Sequence, residues 1–234
     1  MIGIFDSGVG GLCAFLELRR ILPREEMIYL SDRRNAPYGT KTKDELLALE
    51  KKDIKRLADM GADKILIACC TASTLWNELD DSEKEITVPI IRPAARIAAR
   101  GRRVAVIATK HTVKAAAFSR EIWRFNQSAF VSERAEQDLV ALVEDGNRDG
   151  KLNGKTLARL WDVARWTEKI QADVLVLGCT HFSHLEGTLM KMMPEVKIVS
   201  PAREGAREIA KTAGGGCRGK ITYTDATALG IKAE

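Results

Sequence analysis

Two cysteines, Cys69 and Cys179, occupy equivalent places in two similar stretches of this 234-residue chain. Each cysteine ends a short apolar run that begins with Ala-Asp, and the offset between the two stretches is 110 residues throughout. Apolar runs can resemble one another by chance, although the shared Ala-Asp and Cys weigh against it. A thiolate can take a proton from carbon and a thiol can return one, so two thiols on opposite faces of a substrate would suit inversion of a carbon centre.

Each thiol needs a neighbour that controls its proton, because an ordinary cysteine pKa of about 8.5 leaves it mostly protonated at neutral pH. His181 follows Cys179 by two residues and titrates near neutrality, which suits this role. Asp6 ends the first apolar run, and from the residues alone it either caps the next helix or takes part in the chemistry.

Two other kinds of site are considered for these residues and are not favoured. Cys179, His181 and His184 could ligate a metal, but no Cys-x-x-Cys pair accompanies them, so we expect no metal. The segment DSGVGG at 6–11 resembles a dinucleotide-binding loop, but Cys13 stands where the third glycine is required. Free backbone amides at that helix start would still suit a carboxylate ligand.

Short apolar runs alternate with amphipathic segments along the chain, which predicts an α/β protein. The predicted strands cover 2–5, 27–30, 65–68, 88–91, 104–108, 174–177, 196–199 and 221–224. Helices are predicted through Leu16 to Ile21 and over 44–60, 137–143, 155–170, 185–192 and 202–212. Because the strands are continuously apolar, we expect two similar domains with mainly parallel sheets flanked by helices, and an active site in the cleft between them.

Composition limits the class of protein. The chain is 45% hydrophobic and 29% charged, which is ordinary for a globular protein. It has no run of 18 apolar residues, so no membrane span is predicted, and no signal-peptide pattern at its start. Five cysteines, an odd number at low density, favour the reducing cytoplasm over a disulfide scaffold.

The net charge of +5 has a local origin, since residues 86–120 contain eight Lys and Arg and no Asp or Glu. Arg92, Arg96 and Arg100 recur every fourth residue and would line one face of a helix, with alanines beneath. A patch for an anion or nucleic acid is the alternative to a solvated helix face. We expect no nucleic-acid partner, because no aromatic residues are interleaved with the charges.

Four segments together resemble the signature segments of the glutamate racemase family, which belongs to the cofactor-independent aspartate/glutamate racemase superfamily. They are DSGVGGL at 6–12, NAPYGTK at 35–41, ACCTAS at 68–73 and LGCTHF at 177–182. The resemblance runs from residue 1 to about 210, with the segments in the family's order. It implies interconversion of L- and D-glutamate without pyridoxal phosphate or another cofactor, which supplies D-glutamate for peptidoglycan and cell-wall biogenesis. It also implies a homodimer.

The resemblance further implies a domain organisation and a set of roles. It suggests a first domain of residues 1–92, completed by 202–234, and a second domain of 93–201. It places the catalytic thiols at Cys69 and Cys179, with Asp6 and His181 as their acid–base helpers and Glu144 as a supporting residue. The implied substrate contacts are Asp6, Ser7, Tyr38, Gly39, Cys70, Thr71, Thr180 and His181.

The chain also departs from the family pattern. Cys70 stands where the family has asparagine, Phe182-Ser183 stands where it has Tyr-Pro, and Arg92 stands where a glutamate is common. A thiol is a weaker hydrogen-bonding group than an amide, so Cys70 could weaken substrate binding. Two alternatives to a glutamate racemase therefore stay open: a related racemase with another amino acid as substrate, and a binding or regulatory homologue with impaired turnover.

Overall fold

The computed structural model describes residues 1–146, 152–213 and 221–224, and the chain forms two compact α/β units. The first unit contains residues 1–90 and the described residues from Ala202 onward, and the second contains Ile91–Pro201. The first division falls between Ile90 and Ile91, two residues before the boundary expected from the sequence, where a helix begins.

Helices and strands alternate along both units. The strands are β1 (Ile2–Asp6), β2 (Met27–Ser31), β3 (Lys64–Ile67), β4 (Thr87–Pro89), β5 (Arg103–Ala108), β6 (Phe130–Ala135), β7 (Val174–Gly178), β8 (Lys197–Val199) and β9 (Ile221–Thr224). The helices are α1 (Leu12–Ile21), α2 (Lys43–Asp59), α3 (Cys70–Ser73), α4 (Asp81–Ile86), α5 (Ile91–Ala98), α6 (Lys110–Lys114), α7 (Ala117–Phe125), α8 (Gln137–Gly146), α9 (Gly154–Lys169), α10 (Glu186–Met192) and α11 (Pro201–Ala210).

Each unit is built on one sheet, which confirms the predicted fold class. The first sheet has the strand order β4-β3-β1-β2-β9, and the second has the order β6-β5-β7-β8. All described strand pairs are parallel. Within the described ranges, the helices are too short or too polar to cross a bilayer.

The central strands are apolar along their whole length because both of their faces are covered. All five residues of β1 are buried, and so are all five of β7. In the first unit, Ile54 and Leu57 of α2 pack with Ile65 and Ile67 of β3. In the second unit, α9 packs against β5 and β7 in the same way, and its apolar face includes Leu160 and Val163. The thiol-bearing loops therefore leave rigid strands.

The repeated Ala-Asp stretch is a helix end followed by a strand. Helix α2 ends in a Schellman turn, in which Ala62 N–H donates to Leu57 C=O and Gly61 N–H donates to Ala58 C=O. Helix α9 ends with the equivalent pair of bonds, from Ala172 to Thr167 and from Gln171 to Glu168. This turn requires a left-handed residue, which is glycine in the first copy (φ 95°) and glutamine in the second (φ 52°).

Several sequence-based boundaries were wrong for identifiable reasons. Strand β6 was missed because its sequence FVSERA is polar and it lies at a sheet edge with no fully buried residue. The strand predicted over 88–91 ends at Pro89, since Ile91 starts α5. Arg100 lies beyond the end of α5, so it does not extend the Arg92–Arg96 row. The alanines of α5 are buried as expected, and Arg92 pairs with Glu121 of α7.

Replacing the left-handed glutamine should stabilise the protein. We expect Gln171→Gly to raise the free energy of unfolding by about 0.5–1 kcal/mol, because the left-handed conformation costs an L-residue roughly 1–2 kcal/mol and the unfolded-state entropy of glycine offsets part of that. Gly61→Ala, the reverse change in the first copy, should destabilise the protein, since alanine is strained at φ 95°. Urea unfolding of both variants tests this, and a Gln171→Gly protein no more stable than the wild type contradicts it.

Glu50 of α2 is a buried acid with an unusual environment. Its side chain is fully buried, and neither carboxyl oxygen has a hydrogen-bond partner in the part of the chain that the structure describes. Burial, followed by the charges of Glu83 and Asp53, raises the pKa of Glu50 from 4.5 to about 9. The folded protein therefore holds a proton that the unfolded chain loses above its ordinary pKa, so this residue lowers stability as pH rises from about 4.5 to 9.

Glu50→Gln should therefore stabilise the protein in a pH-dependent way. We expect a gain in the free energy of unfolding of about 3–3.5 kcal/mol at pH 7 and almost none at pH 4, because each pH unit between the two pKa values corresponds to about 1.4 kcal/mol. Glu85→Gln, at an exposed glutamate of α4, is the matched control and should show no such trend. Equal gains at both pH values would contradict the burial argument.

Candidate active site

The candidate residues of the first unit gather at the carboxyl edge of its sheet. Asp6 is the last residue of β1, Ser31 is the last residue of β2, and Cys69 follows β3 by two residues. Asp6 and Ser31 are partners in the strand register. In an open parallel sheet this edge is where ligands bind, because the loops that follow neighbouring strands converge there.

Asp6 shapes the loop that follows β1. The carboxylate is fully buried, and its Oδ2 accepts hydrogen bonds from Gly8 N–H and Gly11 N–H, both at 3.0 Å. Gly11 has to be glycine here, since a Cβ would lie 2.5 Å from the Asp6 Cβ. These bonds occupy amides that a phosphate would need, which agrees with the absence of a dinucleotide motif. Both amides precede Leu12, the first residue of α1, so these bonds fix the loop before the helix and do not cap the helix itself.

Tyr29 of β2 also holds this loop in place, and this residue was not identified from the sequence. Its hydroxyl donates to Gly8 C=O at 3.0 Å, and Ser31 Oγ donates to the same oxygen at 2.8 Å. Burial raises the pKa of Tyr29 well above its ordinary value, and the charges of Asp6, Cys13 and Cys69 add to this effect. Asp6 and Cys69 therefore both act on one buried hydroxyl, which stays protonated. The alternation of Tyr29 and Ser31 along an apolar strand was the available signal.

Cys69 lies in a segment that side-chain hydrogen bonds hold in place. Its Sγ is 3.6 Å from Ser7 Oγ, within hydrogen-bond distance for sulfur, and its side chain is buried. Ser73 fixes the backbone that follows, because its Oγ donates to Ile67 C=O and accepts from Ile90 N–H. Cys70 and Thr71 are also buried in this segment.

Tyr38 is positioned differently from what a substrate-binding side chain would require. Its ring is buried, and its hydroxyl lies 2.7 Å from Asp32 Oδ2 and 2.9 Å from Asp53 Oδ2. The hydroxyl is thus engaged inside the unit, and the backbone of Tyr38 and Gly39 is what remains for a ligand. Asp32, in the loop after β2, and Asp53, on α2, were not identified from the sequence, because aspartates are usually solvated residues.

The candidate residues of the second unit lie at the carboxyl end of β7. Cys179 follows that strand directly, and its Sγ is 3.7 Å from the His181 Nδ1. Both side chains are buried, as is Thr180 between them. The imidazole therefore lies where it can exchange a proton with the thiol. His184 is nearby, since burial and then the charge of His181 lower the pKa of His184.

The remaining candidate residues are a glutamate of α8 and the other cysteines. Glu144 belongs to the backbone of α8, but its side chain lies outside the described residues, as does the whole of Cys217. Cys13, Cys69, Cys70 and Cys179 form no disulfide bonds. No group of three or more His, Cys, Asp or Glu side chains within the described ranges is arranged to hold a metal ion.

Comparison with known proteins identifies close similarities. Residues 18–209 match the family model described as Asp/Glu/Hydantoin racemase. The glutamate racemase of Desulforudis audaxviator is 36% identical over 212 residues, which is 88% of this chain and 76% of that protein.

Solved structures give the same result. The crystal structure of glutamate racemase isoform RacE1 from Bacillus anthracis matches with a TM-score of 0.82 and 25% identity, over 100% of this chain and 95% of that one. The glutamate racemase of Francisella tularensis, solved in complex with D-glutamate, matches with a TM-score of 0.80 and 25% identity, over 100% and 94% of the two chains.

Proposed function

The chain belongs to the Asp/Glu/hydantoin racemase family, and we propose that it is a glutamate racemase in which Cys69 and Cys179 move the α-proton without a cofactor. One observation carries this proposal: each parallel sheet ends at a buried thiol that has a polar side chain within hydrogen-bond distance of its sulfur. The similarity to curated glutamate racemases over most of the chain supports the choice of substrate.

The reaction needs one thiolate and one thiol at a time. The thiolate takes the proton from Cα, so the C–H bond breaks and an S–H bond forms. The opposing thiol then gives its proton to the other face of the carbanion and becomes the thiolate, which leaves the enzyme ready for the reverse direction. The α-proton of an amino acid is weakly acidic, so the enzyme must stabilise the developing negative charge.

His181 is proposed as the helper of Cys179. At 3.7 Å its Nδ1 can accept the thiol proton before Cys179 attacks, and it can return that proton when Cys179 acts as the acid.

Cys69 has a different neighbourhood, and Asp6 is proposed as its helper. Asp6 Oδ2 accepts hydrogen bonds from two loop amides. The carboxylate proposed to transfer the proton is therefore the same buried group that fixes the loop. Ser7 Oγ, which contacts the Cys69 sulfur, can donate a hydrogen bond to a thiolate there.

Glutamate binding is proposed to use short polar groups around the two thiols. The candidates from the first unit are Ser7, Cys70, Thr71 and the backbone of Tyr38 and Gly39. Thr180 and His181 are the candidates from the second unit. Glu144 is proposed as a supporting residue on α8. Backbone N–H groups suit the substrate carboxylates, since they present fixed dipoles at the ends of loops that are held by buried side chains.

The wider role follows from this chemistry. D-glutamate produced in this way would supply peptidoglycan synthesis and so cell-wall biogenesis and cell shape. Two reactive thiols require a reducing compartment, which supports a cytoplasmic location. A homodimer is part of the proposal, and exposed apolar side chains such as Trp161 and Met190 of the second unit offer surface for one.

Cys70 is the reason to keep a second candidate function. It is buried directly after Cys69, where the family pattern has asparagine, and a thiol cannot replace both the donor and the acceptor of an amide. A racemase for a different amino acid, or a homologue with impaired turnover, would each retain the two thiols and alter this position.

Proton exchange tests the proposed reaction. Purified protein without added cofactor should replace the α-hydrogen of both glutamate enantiomers with deuterium from solvent and should do so faster than for aspartate. Cys69→Ser and Cys179→Ser should each lower racemisation by at least about 10³-fold, because a serine hydroxyl is far too weak an acid to replace the thiol. Each variant should still exchange one enantiomer slowly, and the two variants should prefer opposite enantiomers. Proton NMR in deuterium oxide and polarimetry measure these effects.

Cys13→Ser is the matched control and should leave racemisation nearly intact. Equal losses in all three serine variants would indicate a folding effect. No exchange by the wild type, with either enantiomer at tens of millimolar, would exclude a glutamate racemase.

Restoring the family residue tests the role of Cys70. Cys70→Asn should lower the KM for glutamate by up to about tenfold, since one regained hydrogen bond to a charged ligand is worth roughly 1.5 kcal/mol. Cys70→Ser, whose hydroxyl lacks the reach of the amide, should change KM little. A large fall in kcat/KM for Cys70→Asn would show that the surrounding site is adapted to the thiol.

A further inference from the structure

The side chains of Asp32, Tyr38 and Asp53 form a row of hydrogen-bonded oxygens next to Gly39, in which Tyr38 and Asp53 are buried and Asp32 is half-buried. The Tyr38 hydroxyl lies between Asp32 Oδ2 at 2.7 Å and Asp53 Oδ2 at 2.9 Å. The Asn35 amide donates to both oxygens of Asp32, each at 2.9 Å, so that carboxylate accepts from two donors. The bonds of Asn35 and of Thr40 stay within the loop, whereas the bond to Asp53 joins the loop to α2.

The number of protons available sets the state of this row of oxygens. A tyrosine hydroxyl has one proton to donate, but it stands at hydrogen-bond distance from two carboxyl groups. If it donates to Asp32, the contact with Asp53 needs a proton on Asp53, which then donates to the tyrosine oxygen. Without that proton, the carboxylates of Asp32 and Asp53 share a single donor, the Tyr38 hydroxyl. The carboxylate that receives no proton is then repelled by the tyrosine oxygen.

The surroundings let Asp53 keep its proton to a higher pH than an ordinary aspartate does. Burial, followed by the charge of Asp32, raises the pKa of Asp53 to about 6, while the bond from Tyr38 and the charges of Arg56 and Lys52 act in the opposite direction. Burial raises the pKa of Tyr38 far above its ordinary value, so the hydroxyl keeps its own proton. The titratable and charged groups around Asp53 are Asp32 and Tyr38 from the loop, Glu50, Lys52 and Arg56 from α2, and Glu83 of α4 beyond Glu50.

We propose that Asp53 is a positioning residue that acts through Tyr38 to hold the Tyr38–Gly39 backbone in its substrate-binding place. This role rests on the proposed function, because it assigns that backbone to glutamate. Asp53 itself is buried on α2, and its hydrogen bond to the loop, among the residues that the structure describes, is the one with the tyrosine hydroxyl, so it is not assigned a part in the proton transfer.

The proposal predicts an effect on KM rather than on kcat. Loss of the bond frees the loop and weakens binding of the ground state, which changes KM more than kcat. Deprotonation of Asp53 should loosen the loop in the same direction, so the KM of the wild type should rise as pH increases through about 6. Asparagine at this position cannot ionise but can still donate to the tyrosine oxygen, so it mimics the protonated acid.

The test compares Asp53→Ala, Asp53→Asn and Tyr38→Phe in steady-state racemisation of D-glutamate between pH 5 and 8. At pH 5, where Asp53 of the wild type keeps its proton, Asp53→Ala and Tyr38→Phe should each raise KM about tenfold with kcat within about twofold. The double variant Asp53→Ala/Tyr38→Phe should be no worse than either single variant. Asp53→Asn should keep the low KM at all pH values and lose the rise near pH 6.

Two controls separate positioning from general damage to α2. Asp59→Asn changes an exposed aspartate of the same helix, and Glu50→Gln changes a buried acid of that helix that does not contact Tyr38. Both should leave the pH dependence of KM unchanged, and thermal melting of every variant reports on folding.

The outcomes distinguish this role from the proposed function. A wild type that neither racemises nor binds glutamate, the latter measured by calorimetry, overturns both. If the wild type is active, three results would overturn the positioning role alone. They are an unchanged KM in Asp53→Ala, a main effect of Asp53→Ala on kcat, or an Asp53→Asn variant that behaves like Asp53→Ala. If Asp53→Asn melts like the wild type but its KM still rises as the pH increases through about 6, the positioning role is overturned. This conclusion holds even if Asp53→Ala has a lower melting temperature.

Discussion

Each proposed catalytic thiol is held in place by the same chain reversal. A helix ends in a left-handed turn, a buried parallel strand follows, and the cysteine comes where that strand ends. The Asp of the repeated stretch also binds the neighbouring strand, because Asp63 N–H donates to Met1 C=O and Asp173 N–H donates to Arg103 C=O. The register of the strand, and with it the position of the thiol, is therefore set several residues before the cysteine. Chemistry at the two cysteines depends on this construction in both units.

The two thiols share their placement but not their neighbours. Cys69 contacts a serine hydroxyl next to a carboxylate that is already bound to two amides, whereas Cys179 contacts an imidazole. A hydroxyl stabilises a thiolate without taking its proton, and an imidazole can take it. In the proposed mechanism the two directions of racemisation therefore begin from chemically different acid–base pairs, and their pH dependence need not be the same.

Much of this arrangement could be predicted from the sequence, since continuous apolar strands, Gly-rich turns and the repeated stretch are local patterns. Strands β1, β3 and β7 and helices α2 and α9 lie within a residue or two of their predicted bounds. Strand β6 could not be found, because it is polar and owes its conformation to pairing with β5. The orientation of Tyr38 could not be found either. The motif that contains Tyr38 indicates a substrate loop, but the acidic partners of the tyrosine lie six residues before it and fifteen residues after it. Asp53 belongs to no recognisable motif.

The acids of α2 show why burial alone is a poor guide to function. Glu50 and Asp53 lie one turn apart on the same buried face, and burial raises the pKa of both. Glu50 has no hydrogen-bond partner among the described residues, so it only lowers stability at neutral pH. Asp53 is paired with a hydroxyl of the loop that is proposed to bind substrate, so in this proposal its burial is coupled to the position of that loop. What separates the two acids is the group each one touches. A raised pKa therefore points to a functional residue only where the group also makes a hydrogen bond towards the proposed site, as Asp53 does through Tyr38.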